Sequence, residues 1–313
     1  MSNERELSDI QKDFMNRDAF NAERNAVHES WFNDKTVDYW RHKRMYDTIN
    51  PFAKKYKDAL WITVGDGRFG LDSVRLKKIY GIKSILATDI AENMLRIGKA
   101  KRIIDSYKVE NAEHLSFGDN TFDVVFCKET FHHFPKPFMG LYEMLRISKE
   151  AVILIEPAEK IYTNDVKSIR YLKSAFNLLV SKLLRKPYLP YLPTNYFVEH
   201  GYEEAGNYIY TVSVRELERL MHGMALGDLA FKRFSDFYIK GCEFEIAESG
   251  NLVLEKMKSM LASDAELCKK LPQYYQPNMI TVIIFKKEVD KELKTKMISD
   301  GFEFVEKLKN PYL

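Results

Sequence analysis

Residues 60–70, LWITVGDGRFG, constrain this chain more than any other stretch: an apolar run breaks into a tight glycine loop and then enters a helical pattern. A strand that ends in a glycine turn and feeds a helix opens a parallel α/β sheet, and at that turn such sheets approach nucleotide-type cofactors. Gly65 and Gly67 have no Cβ to clash at positive φ or to hold a ligand off the backbone. Gly70 allows the following helix to pack closely on the strand. Many strand-to-helix turns carry glycines, so the loop by itself names no ligand.

Two further elements fall into the same frame. SILATDI, residues 84–90, predicts a second short strand ending in Asp89, nineteen residues beyond Gly70. A carboxylate there can accept from both hydroxyls of a ribose, or else cap the helical-looking AENMLRIGKAKRI that follows. Residues 109–134, VENAEHLSFGDNTFDVVFCKETFHHF, give a strand end at Glu110 and Asn111 and a turn at Gly118, Asp119 and Asn120. The strand FDVVFC comes next, with Lys128, Glu129, Thr130, His132 and His133 just past it. Ligands of open α/β sheets sit outside the carboxyl ends of the strands, so the loop, Asp89 and these polar residues share one rim.

VGDGRFG, ATDIAENML, ENAEHLSFGDNTFDVVFCKETFHHF and LYEMLRISKEAVILIEP together cover about residues 58–157. In order and spacing they resemble the class I S-adenosylmethionine-dependent methyltransferases, in particular the methyltransferase type 11 group. The resemblance implies an α/β, Rossmann-like fold: a seven-stranded, mostly parallel sheet with helices on both faces, an N-terminal helical lid and an inserted cap after strand 5. It implies S-adenosyl-L-methionine as cofactor, with Gly65 and Gly67 under the methionyl part and Asp89 on the ribose. Asn111 and Ala112 would meet the adenine, and Lys128, Glu129 and Thr130 would floor the sulfonium. Val64, Asp66, Arg68, Ile90, Met94 and His133 complete the implied cofactor set.

Three positions depart from the family pattern. Thr63 stands where an acid is usual at the end of the first strand, leaving Asp66 and Glu129 as candidate counter-charges for the cofactor ammonium. Phe69 occupies the usual place of the third glycine, one residue before Gly70, so a reshaped turn is expected. Asn111 replaces an aspartate at the adenine edge, where an amide still accepts but without charge assistance.

Methylating an alcohol calls for a general base, because the hydroxyl proton is weakly acidic. His133 and His132 at the rim are the first candidates, although the resemblance often gives a His-His pair at this place a structural role. His200, near Glu199 and Glu203, is the second; those acids could instead hold a divalent ion, but their spacing is not diagnostic and no metal site is assigned.

The chain divides by pattern into five segments. Residues 1–57 read as a helical lid, with Trp31, Phe32, Tyr39, Trp40 and Tyr46 either docking it on the core or, with Arg41, His42 and Arg44, facing the ligand. Residues 58–157 are the cofactor-binding half, 158–207 an inserted substrate cap, 208–286 the rest of the core, and 287–313 a surface tail helix. In the insertion, Phe176, Leu179 and Leu183 recur at helical spacing near Lys173, Lys182, Arg185 and Lys186. That basic amphipathic pattern suits a cap helix on the core, or contact with an anionic membrane and a lipid-linked substrate.

Composition narrows the class further. With 45% hydrophobic and 13% aromatic residues, 313 residues support a large core. The charged N-terminus and the lack of an apolar run near the ~18 residues of a spanning helix argue for a cytoplasmic protein. Cys127, Cys242 and Cys268 show no metal or CxxC spacing and read as reduced thiols. A net charge of +3 and a pI of 8.4 argue against nucleic acid as substrate, since such enzymes commonly exceed a pI of about 9. The expected acceptor is a small molecule: a sugar, nucleotide-sugar or related hydroxylated metabolite, with oligomerisation left open. Two rival readings stand, an NAD-dependent Rossmann oxidoreductase and a methyltransferase-like binding protein without activity.

Overall fold

A computed structural model describes residues 6–21, 24–159, 179, 182–183, 201–272, 275–308 and 312. Four helices come first: α1 (Leu7–Asp18), α2 (Asn25–Ser30), α3 (Val37–Asp47) and α4 (Asn50–Lys55). The alternating unit follows as β1 (Leu60–Val64), α5 (Leu71–Tyr80), β2 (Ser84–Asp89), α6 (Glu92–Ala100), β3 (Tyr107–Val109), β4 (Phe122–Lys128), α7 (Pro137–Ile147) and β5 (Ser148–Pro157). Beyond the insertion come helix Val214–Gly223, β6 (Leu229–Phe234), helix Leu252–Lys270, β7 (Met279–Phe285), helix Lys291–Ser299 and β8 (Glu303–Val305).

The strands form one sheet in the order β3-β2-β1-β4-β5-β7-β6-β8. The first five in sequence are parallel, while β7 runs antiparallel to both β5 and β6, and β8 antiparallel to β6. Both faces are apolar, as strands covered on two sides require. Trp61, Val124, Phe126, Ile153 and Ile155 point to the side of α3, α4 and α5, and Ile62, Val125, Cys127, Val152 and Leu154 to the side of α7 and helix Val214–Gly223. The chain order reverses beside β1, between β1 and β4, and at that switch point the carboxyl ends of neighbouring strands diverge to leave a crevice.

Among the described residues the sheet has eight strands rather than the expected seven. The tail does form a helix, but then turns back so that β8 pairs with β6 while Phe302 and Phe304 pack into the core. A three-residue edge strand is too short for alternation to announce it. Of the amphipathic helix read in the insertion, only Leu179, Lys182 and Leu183 are described, all exposed; Phe176, Lys173, Arg185, Lys186, Glu199 and His200 lie outside the described residues. No helix among the described residues is long and apolar enough to cross a membrane.

Candidate active site

The glycine loop leaves β1 after Val64 and is tied to its neighbours through backbone: Gly65 N–H and Asp66 N–H both donate to the Thr88 carbonyl, at 3.0 and 2.9 Å. Gly65 has φ +81°, and a Cβ there would stand 2.0 Å from Thr130 Cγ2, whose hydroxyl donates to the Gly65 carbonyl at 2.8 Å. A Cβ on Gly67 would come 2.9 Å from Asp89 Oδ2. The loop therefore joins the ends of β1, β2 and β4 at a spacing that only glycine permits. Phe69 takes the left-handed conformation, φ 61°, where a third glycine would sit easily. That costs a non-glycine residue about 1–2 kcal/mol, and the buried ring offsets it by packing among His28, Trp31 and Phe32.

Asp89 ends β2 almost fully buried, with Oδ1 accepting from Ala91 N–H at 2.6 Å. Burial pushes its carboxyl up to about 6, against the pull of the Ala91 and Ile90 amides. Among the described residues no cation pairs with it. A desolvated carboxylate supplied only with backbone donors, beside a loop that cannot carry a Cβ, suits the two hydroxyls of a ribose. Ile90 and Met94 follow it, and Asn111 and Ala112 lie just past β3, with Asn111 Oδ1 accepting from Glu113 N–H at 3.0 Å.

The two candidate counter-charges separate cleanly. Asp66 is buried and spent: Oδ1 accepts from Asp72 N–H at 2.9 Å, and Oδ2 accepts from Ser73 N–H at 3.0 Å and the Thr63 hydroxyl at 2.9 Å. It neutralises the first turn of α5, and burial together with Asp72 pushes its carboxyl up to about 7. Thr63 thus belongs to the same arrangement as a donor to the displaced acid. Glu129 stays partly open, and φ 49° aims it off the end of β4. Although burial opposes it, Lys128 (Nζ at 2.9 Å), His42 (Nδ1 at 3.2 Å) and Arg41 (Nη2 at 3.6 Å) hold its carboxyl well below the usual range.

Helix α3 supplies two of those three side chains. Arg41 is locked by Asp236 and Asp38, at 2.7 and 2.8 Å. His42 is fully buried and kept neutral, by burial first and then by Arg68 and Lys128. Its Nε2 lies 2.5 Å from Arg68 Nη1, where a neutral imidazole serves as acceptor. Arg68 also sits over the Trp31 ring, 4.7 Å from its centroid, and no carboxylate among the described residues lies within ion-pairing distance. Arg44, grouped with Arg41 and His42 in the sequence, turns away and donates to the Ser235 carbonyl at 3.1 Å.

The histidine pair lies on a 3-10 turn, Phe131–His133, and its members have opposite environments. His132 Nδ1 is 2.5 Å from Glu156 Oε2, while Glu156 Oε1 accepts from Thr130 N–H and Phe131 N–H at 2.9 Å each. Burial disfavours the imidazolium, but Glu156 more than compensates and raises His132 above its ordinary value. His133 is 22% exposed, and burial followed by the charge of His132 lowers it, with Glu203 opposing. Its Nδ1 lies 2.5 Å from Glu203 Oε1, and its carbonyl accepts from Gln11 Nε2 at 2.6 Å.

The structure therefore gathers Val64–Arg68, Asp89, Lys128, Glu129, Thr130 and His133 on one rim, and places His132 beneath it as a structural pair with Glu156. Asp72, Gln11 and Glu156 were not singled out in the sequence. Glu156 closes an apolar strand, the same signal that marked Asp89, whereas Gln11 and Asp72 sit in ordinary helical pattern and carry none.

A family model described as "Methyltransferase domain" matches residues 62–155. No curated protein matches the chain. Among solved structures, the YcgJ protein of Bacillus subtilis is 13% identical, with 78% of this chain and 100% of that chain covered and a TM-score of 0.46. The magnesium protoporphyrin IX methyltransferase of Synechocystis with bound S-adenosylmethionine is 17% identical, with 55% and 86% covered and a TM-score of 0.41. The family match decides against the oxidoreductase reading. Residues 62–155, with their glycine loop, acid-ended second strand and switch-point crevice, form a methyltransferase domain of Rossmann-like α/β fold.

Proposed function

We propose that this methyltransferase acts on a hydroxyl oxygen of a small molecule, a sugar, nucleotide-sugar or related hydroxylated metabolite, in the cytoplasm, with His133 as general base. The observation that carries the reading is the contrast within the histidine pair: His132 is consumed by Glu156, whereas His133 is kept neutral and partly open at the rim. When bound, the cofactor supplies a methyl on a sulfonium, whose carbon–sulfur electron pair stays with sulfur as an acceptor lone pair forms the new bond. Asp89 would hold the ribose hydroxyls, Glu129 the ammonium and Arg68 the carboxylate, since Asp66 is occupied by the amides of α5. Asn111 and Ala112 would border the adenine, with Ile90 and Met94 behind. His133 would take the proton that the acceptor oxygen sheds, a contribution of about 10²–10⁴ in rate for a positioned base. Exposed aromatic side chains near this end, Tyr202, Tyr208 and Phe138, suit the apolar face of a sugar ring.

The test combines calorimetry with S-adenosylmethionine and NADH, and release of S-adenosylhomocysteine across a panel of hydroxylated acceptors. Binding of the first ligand only, and turnover that His133→Asn lowers at least 100-fold without changing cofactor affinity, is the expected result. A folded protein that binds the cofactor but methylates none of the panel favours the binding-protein reading, and wild-type turnover by His133→Asn rejects the base.

A further inference from the structure

We infer that Glu203 is a positioning residue for His133, delivered by the turn of residues 201–210 that closes the insertion; the inference rests on the reading of His133 as base. Tyr202 and Tyr208 pair across this turn, Glu203 N–H donates to the Asn207 carbonyl at 3.0 Å, and Ile209 N–H donates to the Gly201 carbonyl at 2.9 Å. The turn is fixed to the histidine strip twice. Tyr210 N–H donates to the His132 carbonyl at 3.3 Å, and the Tyr210 ring meets Phe131 edge-on at 5.6 Å. This double anchor sets the Glu203 carboxylate 2.5 Å from His133 Nδ1.

A carboxylate oxygen at that distance favours a proton on Nδ1 over a lone pair facing it, although the contact lies outside ideal hydrogen-bond geometry. The other nitrogen, Nε2, then carries the lone pair, and no described residue hydrogen-bonds to it. Glu203 therefore selects the tautomer in which the outer nitrogen is the acceptor. The charged groups that bear on His133 are His132, which disfavours its protonation, and Glu203 and Glu156, which favour it. Burial acts against Glu203 ionising, but His133 and the Asn207 amide hold it below its ordinary value. In the reaction the acceptor O–H bond breaks, its proton passes to His133 Nε2, and the oxygen pair enters the new bond to methyl. Glu203 stays ionised and stabilises the imidazolium, which returns its proton to solvent.

The test follows the two rings in the full-length protein labelled with ¹⁵N-histidine, across pH, without any acceptor. In the wild type, His133 is expected as the Nδ1–H tautomer. Glu203→Gln, which keeps the shape, should mix the tautomers and lower the His133 pKa by about one pH unit, tenfold in proton affinity. Glu203→Asp should restore part of the effect, and His132, paired with Glu156, should not move. A purely structural Glu203 would change stability only, so an unchanged His133 tautomer and pKa in folded Glu203→Gln overturns the inference. Failure of the base reading shows elsewhere, as full turnover by His133→Asn, and leaves the ring titration as found.

Discussion

Asp89→Asn should weaken cofactor binding and at the same time stabilise the ligand-free protein, and the two effects have one source. The folded carboxyl sits at about 6 against an ordinary 3.8 because burial strips its water and only backbone amides replace it. Two pH units correspond to about 3 kcal/mol of ionisation cost carried by the folded state. The sign follows from linkage: with the folded value above the unfolded one, the native state holds more protons between about pH 4 and 6. Stability therefore falls as pH rises through that window and is flat above it. The amide removes the cost and can still accept from Ala91 N–H, so at pH 8 the variant should be about 1–3 kcal/mol more stable, with the gain gone by pH 4. Toward a ribose it lacks charge assistance, a loss of about 1–3 kcal/mol, or about 5- to 150-fold in Kd. Urea unfolding at pH 4, 6 and 8 and calorimetry with S-adenosylmethionine measure both. Unchanged affinity refutes the ribose assignment, and a variant no more stable than the wild type at pH 8 refutes the desolvation argument.

His132→Asn breaks a buried pair and leaves Glu156, which is 0% exposed, with two amides and the Cys127 thiol but no cation; urea unfolding at pH 6 should show a loss of about 3–5 kcal/mol. Because the folded His132 pKa is raised, this pair's contribution is complete below about pH 6.5 and fades as pH rises through the folded value, so the deficit should shrink in alkali. Gly65→Ala puts a Cβ 2.0 Å from Thr130 at a left-handed φ and should cost about 2–4 kcal/mol in the same assay, with cofactor binding lost. Glu129→Gln should weaken S-adenosylmethionine binding by about 1–2 kcal/mol while Asp66→Asn mainly alters stability; the reverse ranking by calorimetry would return the ammonium to Asp66.

Local chemistry was legible in the sequence wherever the backbone itself dictates the residue. A glycine at the end of β1, an acid at the end of β2 and polar residues just past β4 each occupy places where the sheet's own geometry opens the crevice, so they could be found without coordinates. Thr63 shows where such reading stops. The family pattern asks for an acid there, and its absence made two nearby acids look equivalent. Only the fold shows that Asp66 bends back onto the amides of α5 while Glu129 remains at the rim. The eighth strand is hidden for a related reason: its information lies in buried Phe302 and half-buried Phe304, which pack on residues far away in sequence.

Long-range pairing also explains the histidines. Nothing in HHF distinguishes its first member from its second, and both sit one turn past the same strand. Their difference comes from carboxylates 24 and 70 residues downstream, Glu156 on β5 and Glu203 on the insertion turn. Glu156 reaches its histidine through the sheet, which every fold of this architecture must build. Glu203 reaches its histidine from a turn that Tyr210 ties to the 3-10 strip. If the segment that closes the insertion governs the base, acceptor chemistry can vary with the insertion while the cofactor loop stays fixed. Replacing Tyr210 by Ala, which removes the ring contact with Phe131 but no charge, should then move the His133 titration in the same direction as Glu203→Gln, and a titration identical to wild type would show that the carboxylate needs no anchoring.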